Sequence, residues 1–130
     1  MKEEKVIGSK LLDSSIWIAY VVKKEHTKLI DSEDLLSISI LSFFEIKKKL
    51  LKDGLPKQEV EDTLSIIKKR VIFILPITEF IAEKAAELSI ENNLSAVDSL
   101  IYTSSLVNNV MLYTLDNDFR GLKNTVVFNK

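Results

Sequence analysis

The sequence contains no cysteine and only one histidine, His26. It therefore has no disulfide framework, no thiolate nucleophile and no cysteine ligands for zinc. A serine–histidine hydrolase would have to use His26, which lies in a polar segment where a solvated surface position is expected. The chain also lacks the G-x-S-x-G sequence of such hydrolases. These absences argue against thiol, zinc-finger and serine-hydrolase chemistry.

Glycine is also scarce, with three residues in a chain of 130. Neither a Walker A loop nor a G-x-G-x-x-G sequence is present, which argues against enzymes that cradle a nucleotide in a glycine-rich loop. No apolar run approaches the roughly 20 residues that cross a bilayer. Residues 1–5 lack the basic flank and apolar core of a signal peptide. A cytoplasmic protein with no membrane association is expected.

The composition fits one soluble domain over residues 1–130, because 46% of the residues are hydrophobic and 28% are charged. The formal net charge is −1. Any affinity for nucleic acid must therefore come from local basic patches rather than from the overall field of the protein.

Short apolar runs alternate with helical patterns along the chain. Strands are predicted over residues 10–13, 36–40, 71–75 and 110–114, with an edge strand over 125–128. Ser14 or Ser15 is expected to cap the first helix, and Thr78 and Ser95 are expected to cap two later helices. The alternation predicts an α/β fold, a Rossmann-like α/β/α sandwich with a mainly parallel sheet of four to five strands.

Acidic residues follow the predicted strands or open the predicted helices. They are Asp13, Glu45, Asp98 and Asp116, with Asp118 two residues beyond the last. In a doubly wound sheet the first and fourth strands are neighbours, so their carboxyl ends meet at the switch point. Carboxylates gathered there repel one another and raise their own pKa values, and a hard divalent cation removes that repulsion. An acid-only set favours Mg²⁺ or Mn²⁺ over zinc and suits phosphodiester cleavage.

Each acid, taken alone, also has a structural explanation. Glu45 and Asp98 each lie three residues after a serine, which is the spacing of a capping box. Glu45 lies four residues before Lys49, a favourable spacing for an ion pair on a helix. Asp13 suits a helix cap, and Asp116 suits a turn. The acids taken together are therefore stronger evidence for a functional site than any one of them alone.

Four short motifs occur in order along nearly the whole chain. They are LLDSS at residues 11–15, ISILSFFE at 38–45, LSAVDSLIY at 94–102 and LYTLDNDF at 112–119. In order and spacing they resemble the motifs of PIN domains, most closely the compact VapC-type toxin ribonucleases of prokaryotic toxin–antitoxin pairs. The resemblance implies an endoribonuclease that depends on Mg²⁺ or Mn²⁺. It also implies a homodimer and an antitoxin whose C-terminal tail reaches the active-site groove.

The resemblance also assigns roles by position. It implies an acidic quartet of Asp13, Glu45, Asp98 and Asp116, an accessory metal ligand in Asp118, and small hydroxyls beside the metal in Ser14 and Thr114. Within the quartet, Glu45 is expected to hold a second ion or metal-bound waters, and the three aspartates are expected to be direct ligands. Leu115 departs from the family pattern, which commonly has Asn or Arg there, and this puts substrate preference in doubt.

The expected substrate is RNA, guided weakly by Lys47, Lys48 and Lys49, for which a solvated helix face is the alternative explanation. A different interpretation is a catalytically silent PIN-like module that binds RNA or protein. The complete acidic set favours the enzyme. A DNA-directed or flap-type nuclease is less favoured, since such enzymes usually carry additional acids and longer insertions.

Overall fold

A parallel sheet of five strands runs through the computed structural model, which describes residues 9–129. The strands are β1 (Ser9–Leu12), β2 (Leu35–Ser39), β3 (Phe73–Leu75), β4 (Met111–Thr114) and β5 (Thr125–Val127), in the order β3-β2-β1-β4-β5. Every pair of neighbouring strands is parallel. The predicted α/β fold with a parallel sheet is confirmed.

The strand order reverses beside β1. From β1 the chain steps outward through β2 to β3, and it then crosses to β4 on the other side of β1. Leu11 pairs with Leu112, and Leu12 pairs with Tyr113. The carboxyl ends of β1 and β4 are therefore adjacent, as predicted, and they form the switch point where ligands bind in open α/β sheets.

Helices cover both faces of the sheet. They are α1 (Ser14–Lys23), α2 (Thr27–Ile30), α3 (Ile40–Lys52), α4 (Lys57–Arg70), α5 (Glu79–Asn92) and α6 (Ala96–Val107), and a 3₁₀ turn covers Asn117–Phe119. The adjacent residues Leu11 and Leu12 point to opposite faces of β1. Leu12 packs in a core with Trp17 and residues of α1 to α4, and Leu11 packs with Phe119 and residues of α6. Both residues are fully buried, so β1 is the central strand of the molecule.

Two of the predicted helix caps are present. The Thr78 hydroxyl accepts from the backbone N–H of Ile81 at 3.2 Å, and the Ser95 hydroxyl accepts from that of Asp98 at 3.3 Å. The predicted cap of the first helix is wrong. Asp13 occupies the N-cap position of α1, as its structural explanation anticipated, although its side chain makes no capping hydrogen bond, and Ser14 and Ser15 are the first two helical residues.

The second strand ends one residue earlier than predicted. Ile40 already belongs to α3, and the hydroxyl of Ser39 caps this helix by accepting from the backbone N–H of Leu41 at 3.1 Å. The capping box predicted for Glu45 is therefore absent, since its serine partner lies inside the helix. Lys49 also does not pair with Glu45, but with Asp53 at 3.3 Å.

Three smaller expectations also need correction. The third strand is shorter than predicted, because Val71 forms the C-cap of α4. His26 is half-buried rather than fully solvated, with its ring centroid 5.3 Å from that of Phe128. The edge strand β5 ends at Val127, one residue before its predicted end at 128. Within residues 9–129, no helix is both long and apolar enough to cross a membrane.

Candidate metal centre

Asp13 is held at the carboxyl end of β1 by two hydroxyl groups. Its backbone N–H donates to Tyr113 O at 2.9 Å, which extends the pairing of β1 with β4 by one residue. Its Oδ2 atom accepts from Thr114 Oγ1 at 2.8 Å and from Ser15 Oγ at 2.9 Å. Burial raises the pKa of this carboxyl, whereas the two hydroxyl hydrogen bonds act in the opposite direction. Asp13 is thus a fixed acidic group, only 5% exposed.

The end of β4 positions Asp116. Thr114 Oγ1 accepts from the backbone N–H of Asp116 at 3.0 Å while it donates to Asp13. Asp116 is also the N-cap residue of the 3₁₀ turn, and its Oδ1 accepts from the backbone N–H of Asp118 at 2.9 Å. One threonine therefore links the acids that follow the two central strands.

Glu45 reaches the same region from α3. Its Oε1 accepts from Ser14 Oγ at 3.0 Å, a contact that joins the first residue of α1 to the second turn of α3. Burial raises the pKa of Glu45, and the nearby charge of Asp13 raises it further. Ser14, predicted to lie beside the metal, thus holds the Glu45 carboxylate.

Asp98 approaches from the first turn of α6, where the Ser95 cap fixes the backbone. Burial, followed by the charges of Asp116 and Asp13, raises the pKa of Asp98 to about 6. Because the neighbouring charges that raise it belong to other acids of the set, the carboxylates repel one another across the switch point. The predicted electrostatic coupling is therefore present.

These side chains surround one open cavity of about 430 Å³. Its lining includes Asp13, Ser14, Ser15, Glu45, Asp98, Leu115, Asp116 and Asn117. Within the part of the chain that the structure describes, Asp98, Asp116 and Asp118 form the tightest acidic group, with one carboxylate oxygen from each within 4.8 Å of the others. Asp13 and Glu45 lie in the same cavity, outside this tightest group.

The donor set fits a hard divalent cation. The charged side chains that line this cavity offer carboxylate oxygens, with hydroxyl oxygens beside them and no imidazole or thiolate. Oxygen donors suit Mg²⁺ and Mn²⁺, whereas zinc sites usually contain nitrogen or sulfur. A cation would also remove the mutual repulsion that raises the carboxyl pKa values. Asp98, Asp116 and Asp118 could hold such an ion with Asp13, and Glu45 could hold its waters or a second ion.

The three lysines predicted to guide RNA lie exposed along α3, after Glu45. Lys47 pairs with Glu61 at 3.1 Å, and Lys49 pairs with Asp53 at 3.3 Å. Lys48 Nζ lies 5.7 Å from the ring centroid of Phe44. All three point to solvent, and two of their charges are partly matched by acids, so their role in RNA binding stays a prediction.

Asn117 was not predicted as a member of the site, whereas Ser15 was expected either to cap the first helix or to orient the acidic site. Ser15 donates to Asp13 and accepts from the backbone N–H of Leu115 at 3.1 Å, and Asn117 lies on the cavity wall. The signal for Ser15 was its position two residues after an aspartate, where a hydroxyl can turn back to the carboxylate. Asn117 carried no comparable signal.

Solved structures share this fold. A toxin–antitoxin complex from Klebsiella pneumoniae has a TM-score of 0.75 and 21% identity, covering 91% of this chain and 96% of that one. VapBC2 from Rickettsia felis, bound to a promoter DNA fragment, has a TM-score of 0.71 and 18% identity, covering 93% and 98%. VapC20 from Mycobacterium tuberculosis, described as a sarcin–ricin loop cleaving toxin, has a TM-score of 0.68 and 15% identity, covering 88% and 95%.

No curated protein matches this chain by sequence. The family model described as PIN domain, however, matches residues 10–124. The match extends from β1 to the residue before β5 and includes all five acids, and the solved structures agree with it in fold. The chain belongs to the PIN domain family.

Proposed function

We propose that this protein is a divalent-metal-dependent endoribonuclease that cleaves RNA phosphodiesters as the toxin of a toxin–antitoxin pair. The observation that carries the proposal is the meeting of Asp13, Glu45, Asp98 and Asp116, from four separate segments of the chain, around one cavity at the switch point. Capping and turn formation account for Asp98 and Asp116 taken alone. They do not account for Glu45, whose predicted capping box is absent, and they do not require the acids to meet. Membership of the PIN domain family supports the same assignment.

In this proposal the acids of the cavity bind the cation, and the hydroxyl groups beside them hold the acids in place. Thr114 and Ser15 fix one oxygen of Asp13, and Ser14 fixes one oxygen of Glu45. When bound, Mg²⁺ or Mn²⁺ would stabilise charge on the phosphodiester and lower the pKa of a coordinated water. The hydroxyls keep the acids in place before substrate arrives, which reduces the reorganisation needed during the reaction. Lys47, Lys48 and Lys49 are proposed to contact the RNA backbone from α3.

The proposal is tested with Asp116→Asn, measured on structured and unstructured RNA with Mg²⁺, with Mn²⁺ and with EDTA. The wild type is expected to cleave only when metal is present. The variant is expected to lose at least about a hundredfold in rate, because it lacks a carboxylate that would hold the cation that stabilises transition-state charge. Asp62→Asn is the matched control, since Asp62 is exposed on α4 and contacts Gln58. Cleavage that survives both Asp116→Asn and EDTA would contradict the proposal.

An antitoxin partner is part of the proposal. Structural neighbours from Klebsiella pneumoniae, Rickettsia felis and Haemophilus influenzae are described as toxin–antitoxin or VapBC structures. We propose that a cognate antitoxin binds this chain in the cytoplasm and covers the acidic cavity. Where a small antitoxin-like protein is encoded beside the gene, its co-expression should suppress RNA cleavage and give a stable complex on size-exclusion chromatography.

A homodimer is also proposed, and exposed apolar residues support it. Phe73 on the edge strand β3 is 50% exposed, and Phe44 on α3 and Phe80 on α5 are 63% and 65% exposed. Phe73 lies on a strand at the end of the sheet, and large exposed apolar side chains are typical of association surfaces. Phe44→Lys combined with Phe80→Lys should shift sedimentation toward the monomer, whereas Val22→Lys on α1 should not.

The second interpretation, a module that binds without cleaving, gives a different result in the same assay. It predicts that Mn²⁺ and RNA bind while no product forms on any RNA tested, including substrates with all sequence contexts. The coupled carboxylates favour the nuclease, since a binding module has no need for an acidic set in which burial and neighbouring charges raise the pKa values of Asp13, Glu45 and Asp98.

A further inference from the structure

A second cavity, of about 500 Å³, adjoins the acidic cavity. Ser15 and Leu115 line both cavities. A hydrogen bond joins these two residues, in which the Leu115 backbone N–H donates to Ser15 Oγ at 3.1 Å. A molecule in the second cavity would therefore lie directly beside one held at the acids.

The second cavity has an apolar floor and a polar rim. Ile18, Ala19 and Leu115 form the floor, and Lys23, Glu25, His26 and Asn129 provide charged and hydrogen-bonding groups around it. Binding sites for small planar groups combine these features, since the faces of the group pack on apolar surface and its edges find a few polar partners. Its volume falls in the range of such sites.

The rim is shaped by a sharp turn after α1. Lys24 and His26 both have left-handed backbone conformations, with φ of 59° and 60°, which are uncommon for residues with side chains. The turn brings His26 against Phe128, just beyond β5, with ring centroids 5.3 Å apart and an angle of 37° between the rings. The imidazole is thus supported by packing rather than free in solvent.

We propose that this second cavity binds the nucleobase next to the phosphodiester that is cut, and so sets the sequence preference of cleavage. The inference rests on the proposed nuclease function, because the acidic cavity then holds the scissile phosphate and the neighbouring base falls at Ser15 and Leu115. Bases in single-stranded RNA are recognised in this way, by stacking on side chains and by hydrogen bonds to their edges. Glu25 offers an acceptor, Lys23 a donor, and Asn129 both.

The sole histidine of the chain makes the cavity directly observable, because its imidazole resonances report on this rim alone. The probes are AMP, GMP, CMP and UMP, with ribose 5-phosphate as the control that lacks a base. At least one nucleotide should shift the His26 resonances and saturate, while ribose 5-phosphate should not. Glu25→Gln should lower the affinity for that nucleotide about tenfold, the effect expected from losing a hydrogen bond to a charged group. Glu83→Gln, an exposed change on α5, should leave binding unchanged.

Cleavage of a randomised RNA pool gives the second measurement. Glu25→Gln and His26→Ala should change the base distribution at one position beside the cut, and Glu83→Gln should not. Cleavage with an unchanged distribution, together with silent His26 resonances, would overturn the base site and leave the nuclease intact. Nucleotide binding that depends on Glu25 without RNA cleavage would support the base site and contradict the nuclease. Resonances that respond to an antitoxin protein but to no nucleotide would identify a peptide site and overturn the assignment.

Discussion

The hydroxyl of Thr114, the last residue of β4, donates a hydrogen bond of 2.8 Å to Oδ2 of Asp13, the first residue beyond β1. The same oxygen of Thr114 accepts from the backbone N–H of Asp116 at 3.0 Å. The bond is buried, so it is shielded from competition with water. Through it, the pairing of the two central strands fixes the relative position of two acids of the candidate metal centre.

Replacing Thr114 with valine keeps the shape of the side chain and removes this link. The change removes one of the two hydroxyl donors to the Asp13 carboxylate, leaving Ser15, and removes the Thr114 acceptor of the Asp116 N–H. Loss of a partner by a buried polar group costs about 1–3 kcal/mol. Groups that orient metal ligands typically contribute about 10- to 100-fold to metal affinity or activity. We therefore expect Thr114→Val to lower Mn²⁺ affinity in calorimetry by that factor and to lower the melting temperature. The matched change Thr27→Val, at an exposed position on α2, should do neither, and equal effects of the two changes would contradict the role of Thr114.

The two neighbouring serines should differ in their effects, because they hold different acids. Ser15 contacts Asp13, whereas Ser14 contacts Glu45. Ser15→Ala is expected to weaken the tightest Mn²⁺ binding about tenfold, as for other groups that orient a ligand. Ser14→Ala is expected to leave that affinity nearly unchanged and to lower cleavage instead. Calorimetry and a cleavage assay on both variants separate these outcomes. If Ser14→Ala weakened Mn²⁺ binding and Ser15→Ala did not, the roles assigned to the two serines would be wrong.

Glu45→Gln should make the metal-free protein more stable at pH 7. Burial and the charge of Asp13 disfavour the ionised side chain, and glutamine keeps an acceptor for Ser14 without the charge. Relief of functional strain of this kind commonly raises the free energy of unfolding by about 0.5–2 kcal/mol. Thermal unfolding in EDTA should show that the variant is more stable than the wild type. Adding Mn²⁺ should stabilise both proteins, but the increase should be smaller for the variant. A variant less stable than the wild type in EDTA would contradict the repulsion inferred among the acids.

The stability of the metal-free protein should fall as pH rises toward 6. The pKa of Asp98 is about 6 in the folded protein, whereas the ordinary aspartate value of 3.8 applies to the unfolded chain. Between these values the folded protein binds more protons, so the free energy of unfolding decreases with pH and stays lower above pH 6. Burial raises the pKa values of Asp13 and Glu45 as well, which acts in the same direction.

Asp98→Asn isolates the contribution of this residue. Melting temperatures in EDTA between pH 4.5 and pH 7 should decline less steeply in the variant than in the wild type. Saturating Mn²⁺ should also flatten the wild-type decline, because a bound cation favours the ionised carboxylates. A variant whose decline matches the wild type would show that Asp98 does not titrate in this range.

Most of the fold can be predicted from the apolar runs in the sequence and from the acids that follow them. Apolar runs such as residues 110–114 predict buried strands, and the acid after each of two runs predicts where their carboxyl ends meet. The strand boundaries are harder to predict. Ile40 and Val71 are β-branched and suit a strand, but Ile40 starts α3 and Val71 ends α4. The Ser39 hydroxyl caps α3 directly before Ile40, and the Val71 N–H donates to Ile67 O at the end of α4, so local hydrogen bonds decide both boundaries.

Contacts between side chains could not be predicted from the same patterns. Ser14 and Ser15 are chemically identical, and only the turn from β1 into α1 decides that Ser15 faces Asp13 and Ser14 faces Glu45. The packing of His26 on Phe128 joins segments at opposite ends of the chain, so nothing local to His26 indicated it. Asp118 joins the tightest acidic group because a 3₁₀ turn follows Asp116, a detail of geometry that spacing alone does not determine.

The proposed metal centre is tested by the rate at which the wild-type protein cleaves one fluorescent RNA as Mn²⁺ is titrated from zero. We predict no cleavage in EDTA, a rate that rises and saturates with Mn²⁺, and loss of activity when EDTA is added again. The Mn²⁺ concentration at half-maximal rate should agree with the affinity measured by calorimetry, and Asp62→Asn should give the same curve. A rate that is independent of Mn²⁺, or metal binding that is unaffected by Asp116→Asn, would contradict the metal centre proposed at the switch point.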